Sequence, residues 1–476
     1  MRMDAPLPHQ LLPEARPQRD EYRAMLSVAE SEARQLLETS AIQRACQAYL
    51  WSLPLVGLAQ WQHDARRVFG MRDVDLVVYE SSEDHRGILT ADVSMTYIVG
   101  LPDLSQTGAL VVEYPSGSSA GVILDFWQEP LEYLGEPGPD TGAGGTYLIA
   151  APGQHPIAHA TDFVVRSPTM NVAIAFRAFE EDPARANAFV DHVNIRPLAR
   201  TSSAEPMRLL RPEGRPWSQV PPRGLDYWKR VAEIIQRDVA PERDWTMLAL
   251  LESLGVSRTK ALDPGPYDRH VLEEGAQLGE QMARALAFHG PRDSAPYRAD
   301  SRWREVARFP PPRRDTSPDA FDGRAAFSYQ SVVISTALMD TARGTHHVCL
   351  AARVDGQDHA LHGSNSYILR VPRHPPVKYF WSLTIYDSEL RTPIDNGTCG
   401  AARSSNHPLL YNADGSVDLF VGARPRSGWE RNWITTPPDR QWFAYLRLNQ
   451  PLDGYFTHDF ALPDFQLFDE IGYRAP

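Results

Sequence analysis

Asp92, Ser94 and Tyr97 put a carboxylate, a hydroxyl and a phenol close together just ahead of a β-type run. Such a trio could work as general base and acid, provided burial raises the first pKa and a cation lowers the second. The competing reading is a turn, because Asp and Ser stabilise connections by bonding their own backbone. His346 and His347, with His359 and His362 close behind, form the His-rich stretch of the chain. On a strand the adjacent pair points to opposite faces, so at most one of the two can share a site with His359 or His362. Metal binding, a general base and ordinary half-exposed histidines all stay open there.

Asp125 lies among Leu124, Phe126 and Trp127. A buried carboxylate needs a partner or a raised pKa, and Arg166 or Arg177 is the structural alternative to a ligand. Arg324, Tyr329, Asp387, Arg391 and Arg447 sit within or beside β-type segments. Arginines so placed could grip a carboxylate, sulfate or phosphate through the guanidinium fork, although an internal Arg391–Asp387 pair explains the same residues without one. Trp381, Trp429, Trp433 and Trp442 read as core before platform. The candidate set is therefore Asp92, Tyr97 and His347 for catalysis. Ser94, Asp125, Trp127, Arg324, Tyr329, His346, Arg391 and Trp429 are the candidates for substrate binding. Neither a metal nor a cofactor is expected, since phosphate-loop, H-E-x-x-H and Rossmann signatures are missing.

Positioning these residues requires several packed units, because 476 residues exceed one ordinary core. Residues 1–40 read as a tail and an outer helix over Glu21–Glu38. A second helix starts at the N-cap Ser40, is interrupted at Pro54, and resumes to Gly70. Short strands then recur between Gly, Pro, Asp and Ser turns, from Val74–Tyr79 to Asn171–Phe179, which predicts a first β-sandwich over 41–200. A linker and helical insert occupy 201–320, with helices at Leu225–Val239, Asp244–Leu254 and His270–Phe288. Strands return at His346–Arg353, Ser366–Val371, Tyr379–Tyr386, Val417–Val421 and Trp442–Leu448, giving a second sandwich over 321–476. The expected class is α+β, mainly β, built on two antiparallel, jelly-roll-like sandwiches.

Composition narrows the partners. A net charge of −12, from 48 basic and 60 acidic residues, is the wrong sign for a phosphate-binding surface, so nucleic acid is not expected. No apolar run reaches membrane-spanning length, and the Met1–Pro6 start lacks a secretory pattern. Three scattered cysteines, Cys46, Cys349 and Cys399, draw no disulfide framework. A cytoplasmic protein acting on a small molecule is expected, with association with a second copy or a partner subunit left open.

The stretches Ala48–Pro54, Leu124–Gln128, Gly138–Asp140 with Gly144-Gly145, and Arg166–Thr169 resemble the domain of unknown function numbered 1254. Phe380–Asp387, Asn412–Asp418, Asn432–Ile434 and Leu446–Leu448 resemble its C-terminal companion, numbered 1214. The helices between them, with Phe321–Arg324 and Tyr329, extend the resemblance from about Ile42 to Phe468, to the long form of this bacterial family. It implies two β-sandwiches joined by a helical segment, and little about chemistry. The chain departs from the family pattern at Thr90–Ser94, where Thr-Pro-Asn-x-Asp is usual, and at His346-His347, where a Gln-Tyr pair is common. Trp429 and Asn449 depart likewise, so an activity found elsewhere in the family need not transfer.

The resulting expectation is an enzyme of specialised metabolism using non-redox acid–base chemistry: elimination, intramolecular ring closure or hydrolysis, with an anionic leaving group such as sulfate or phosphate giving the arginines a role. The alternatives are a non-catalytic binding or assembly protein and a metal-dependent hydrolase.

Overall fold

The architecture comes from a computed structural model that describes residues 19–155, 162–179, 183–199, 205–239, 242–289, 296–306, 319–332, 347–397 and 400–468. Short strands broken by glycine and proline turns fold into four sheets arranged as two sandwiches. The first sandwich uses β1 (Leu76–Tyr79), β2 (Tyr97–Gly100), β3 (Leu110–Tyr114), β4 (Ser119–Asp125), β5 (Pro130–Gly135) and β6 (Gly145–Ala150). It is completed by β7 (Asp162–Arg166), β8 (Val172–Ala178), β9 (Asn194–Pro197) and β10 (Leu209–Leu210), with short helices α2 (Leu104–Thr107) and α3 (Pro183–Asp191) in its connections. The six-stranded sheet runs β10-β1-β2-β8-β4-β5 and faces a four-stranded sheet, β7-β6-β3-β9.

The second sandwich pairs a five-stranded sheet, ordered β11 (Arg304–Glu305), β12 (His347–Ala352), β18 (Trp442–Asn449), β14 (Trp381–Asp387) and β15 (Ala402–Ser404), with a four-stranded one. The latter is ordered β17 (Trp433–Thr435), β16 (Val417–Gly422), β13 (Tyr367–Val371) and β19 (Gln466–Leu467). Most pairs are antiparallel; β1 with β10, β6 with β7 and β16 with β17 are parallel. The class is α+β, as expected.

Both larger sheets are buried on both faces. In β1, Leu76 and Val78 enter the first sandwich core, while Val77 and Tyr79 point the other way, into a helical core. In β18, Trp442, Ala444, Leu446 and Leu448 fill the second sandwich, and Phe443 and Tyr445 turn to the same helical core. That third core is built by α1 (Arg19–Phe69), α4 (Leu225–Arg237), α5 (Trp245–Ser253), α6 (Pro266–His289) and α7 (Asp319–Gln330). The helices therefore form the common filling between two sandwiches, not a spacer that joins them end to end.

Two elements differ from expectation. The outer helix expected over Glu21–Glu38 and the second helix expected to start at Ser40 and break at Pro54 are one continuous helix of 51 residues. Its Ala48–Trp61 stretch is buried all round, and tertiary contacts on every side hold the turn that proline would otherwise open. Phe321 to Tyr329, expected within the second β domain, is helix α7, with Ala325, Ala326 and Tyr329 facing the helical core. Among the described residues, no helix is long and apolar enough to cross a membrane.

Candidate functional site

The polar residues of the second sandwich are sorted by the period of two in its strands. On β14, Trp381, Leu383 and Ile385 enter the core, leaving Ser382, Thr384 and Tyr386 on the outer face. On β18 the alternation leaves Phe443, Tyr445, Arg447 and Asn449 there; on β12 it leaves His347, Cys349 and Ala351. Register sets Arg447 between Cys349 on one side and Ser382 on the other, and places His347 beside Asn449. A row of polar groups thus crosses an otherwise apolar sheet face.

The first domain covers this row with the turn before β2. Thr90 takes a left-handed conformation, φ 45°, which costs a β-branched residue roughly 1–3 kcal/mol. Four bonds hold it there. Its N–H donates to Arg391 O at 2.7 Å, its hydroxyl meets Ser331 Oγ at 2.6 Å and donates to Gln330 O at 3.0 Å, and Arg447 Nη2 donates to its carbonyl. Arg447 Nη1 donates to the Tyr386 hydroxyl, which donates to Ala91 O at 2.7 Å.

Next in the chain, Asp92 receives Ser382 Oγ–H at 3.3 and 3.4 Å and the Ser94 N–H at 3.1 Å, while its own N–H donates to the Tyr97 hydroxyl at 3.0 Å. Because that oxygen accepts from the backbone, the Tyr97 proton remains available for another acceptor. Burial pushes the Tyr97 phenol above its ordinary pKa against the opposing charges of Arg177 and Arg447, and Asp92 adds to the rise. His85 props the turn from below. It is wholly buried, its ring nitrogens lie 2.6 Å from Ser81 O and 2.8 Å from Met95 O, and its ring meets Tyr97 edge-on at 5.5 Å.

From β8, Arg177 reaches across to His347, with Nη2 3.2 Å from Nδ1. A guanidinium only donates, so Nδ1 is the acceptor and the imidazole is neutral with its proton on Nε2. Arg177, Arg447 and Asp92 are 7%, 5% and 1% exposed. Two cations thus share this interior with one carboxylate among the described residues. Ser94 Oγ and Asn449 Nδ2 are buried there with no hydrogen-bond partner among the described residues. A pocket of about 260 Å³ adjoins the same turn, lined by Val93 together with Glu83, Arg86, Ile394, Asn396 and Gly400.

Of the candidates from sequence, Asp92, Ser94, Tyr97 and His347 converge here. The others go elsewhere. Asp125 pairs with neither Arg166 nor Arg177; its Oδ1 accepts the N–H groups of Trp127 and Glu129 at 2.9 and 2.8 Å. Burial, with the Glu129 charge next to it, raises its pKa to about 7. Trp127 packs on Trp51 at 4.8 Å, and Arg324 lies over the Trp127 ring at 5.9 Å. Arg243 ties Glu129 to this second cluster at 2.7 Å.

Tyr329 and Arg391 belong to a third place, where the guanidinium stacks on the ring at 3.9 Å. The Arg391–Asp387 ion pair raised as the alternative to a bound anion is not formed: Asp387 pairs with Arg440 at 3.0 Å, and Arg391 Nε donates to Tyr329 O. Trp429, just ahead of the short 3-10 turn Glu430–Asn432, packs on Phe420 at 4.4 Å in a small separate apolar cluster. His346 lies outside the described residues. His359 is exposed beside Asp355, His362 bonds Ser364, and no described group of three His, Cys, Asp or Glu side chains is placed to hold a metal. The residue pattern raised Arg177 only as a partner for Asp125 and Arg447 only as one of several anion grips, and it missed Ser382, Tyr386 and His85. The period-two pattern of Trp381–Asp387 and Trp442–Asn449 was the signal for those on the sheet.

Two sandwiches laced by shared helices, with a polar seam between them, define a two-domain α+β protein. Residues 76–197 match the family described as Protein of unknown function (DUF1254), and residues 346–453 match Protein of unknown function (DUF1214). The chain belongs to the proteins that combine these two domains. Its fold is similar to that of the VPA0106 protein from Vibrio parahaemolyticus, at 18% identity and a TM-score of 0.51, covering 90% of this chain and 100% of that one. A putative uncharacterized protein from Burkholderia cenocepacia matches at 12% identity and a TM-score of 0.42, covering 91% and 96%. No curated protein matches the chain.

Proposed function

We propose that the seam between the two domains is the active centre of an enzyme that moves a proton on a small anionic molecule without redox chemistry. The observation that supports this is the charge balance: two nearly buried guanidinium groups, Arg177 and Arg447, share an interior with one carboxylate, Asp92. A buried excess of positive charge favours an anionic occupant, since unpaired buried charge is costly. In this reading Arg177 and Arg447 hold a carboxylate, sulfate or phosphate group. Asp92 takes a proton from the substrate, and Tyr97 returns one to the departing or newly formed oxyanion. His347, oriented by the contact of its Nδ1 with Arg177, lies in the same interior. Elimination, ring closure and hydrolysis all fit this set. The buried thiols Cys46 and Cys349 suit a reducing compartment, and we assign the protein to the cytoplasm.

The test is incubation in D₂O with a panel of small carboxylic acids, phosphate monoesters and sulfate esters, followed by NMR for deuterium incorporation or product. The expected result is turnover of at least one class, reduced roughly 10²–10⁴-fold in Asp92→Asn and Tyr97→Phe, the usual scale for a general acid or base. Circular dichroism melting should show both variants folded. No reaction across the panel, or full activity in both variants, would overturn the assignment.

A further inference from the structure

On the far side of Arg391 from Thr90 lies a cleft of about 400 Å³, within the size range of small-ligand sites. It is lined by Gln277, Glu280 and Arg284 of α6, by the segment from Asp439 to Gln441, and by Tyr329. Most of its ionic groups are committed to each other. Arg223 donates to Glu280 at 3.0 Å and to Glu389 at 2.9 Å, closing one side, and Arg440 pairs with Asp387 at 3.0 Å. Among the described residues, two lining charges are left without an ion pair: Arg284 on α6, whose charge also reaches Glu389, and Asp439 beside Arg440. Tyr329 is 2% exposed, and the Arg391 guanidinium stacked on it gives the adjoining wall a positive backing.

One charge of each sign without an ion pair, Arg284 from α6 and Asp439 from a separate segment of the same lining, is complementary to a molecule with an anionic and a cationic end. We propose that this cleft binds a small zwitterion, an amino acid or a short amino-acid derivative, with its carboxylate on Arg284 and its ammonium on Asp439. The carboxylate suits the guanidinium fork, and a compact ammonium suits an exposed aspartate. Nothing in this assignment depends on what the Asp92 seam does.

Isothermal titration calorimetry on the full chain tests it, with glycylglycine, 4-aminobutanoate and 6-aminohexanoate as probes of different span and butanoate and butylamine as single-ended controls. At least one zwitterion should bind at least about tenfold more tightly than either control, the scale of one charge-assisted contact. Arg284→Gln and Asp439→Asn, both exposed positions, should each weaken that binding about tenfold, and Asp92→Asn should leave it unchanged. The proposal fails if no zwitterion exceeds the controls, or if affinity survives in both cleft variants. It also fails if affinity falls in Asp92→Asn alone, which places the ligand in the seam.

Discussion

Arg447 is the buried cation on which the seam turns, and its bonds define what removing it does. Arg447→Met keeps most of the volume and leaves Thr90 O without the donor it now has, in a place that excludes water. An orphaned buried acceptor costs about 1–3 kcal/mol, so the variant should lose roughly that or more in urea unfolding. An unchanged midpoint would mean that the Thr90 turn does not rely on it. Asp125 makes a pH prediction. Its folded pKa of about 7 lies above the ordinary carboxylate value, so the protonated form favours the fold. That stability is fully present below about pH 4 and is lost as pH rises toward 7. Asn at this position still accepts both backbone N–H groups without the charge. Asp125→Asn should therefore flatten the stability profile between about pH 4 and 7 and raise the melting temperature at pH 8, which calorimetry across that range checks. Residue types alone brought Asp92, Ser94, Tyr97 and His347 to notice. Their partners were not legible, because Arg447 and the Thr90 it anchors lie 357 positions apart and only the sheet register brings them together.

Elements were legible where local pattern and tertiary burial agree. Leu225–Arg237 and Pro266–His289 carry clear apolar periodicity and appear as helices close to their expected bounds. Pro54 shows the opposite case. The expected break is overridden because α1 passes through the shared core, where buried neighbours surround the turn at Pro54. The closeness of α1 and α6 rests on two glycines spaced by one turn. A Cβ on Gly275 would lie 2.2 Å from Ala45 Cβ, and one on Gly279 would lie 2.6 Å from the Tyr49 side chain. Helix propensity favours alanine at both positions by about 1 kcal/mol, whereas overpacking a buried contact costs about 1–3 kcal/mol. The contact distances decide the sign. Gly275→Ala, which meets backbone as well as side chain, should destabilise the protein in guanidinium titration, and so should Gly279→Ala, which meets Cβ and Cγ at the root of the buried Tyr49 side chain. Stabilisation by either would show that the helices can separate freely.

At the scale of the molecule, the two sandwiches do not each close their own surface. One face of the six-stranded sheet, through Val77, Tyr79, Val99, Val122 and Leu124, and one face of the five-stranded sheet, through Tyr386, Phe443 and Tyr445, are covered by the same helices. Neither half can unfold without exposing the apolar face of that shared layer, and each exposed side chain of this kind costs roughly 1.5–3 kcal/mol. Independent domains joined by a linker melt separately, whereas halves that share a core are coupled through it. Differential scanning calorimetry of the full chain should therefore show one transition, with calorimetric and van't Hoff enthalpies in agreement. The seam contacts add to the coupling, since Arg447, Tyr386 and Ser382 of one half bond Thr90, Ala91 and Asp92 of the other. Arg447→Met should lower the temperature of that single transition without splitting it, because the apolar layer still spans both halves. Two resolved transitions in the wild type would show that the sandwiches are energetically separate despite their common filling.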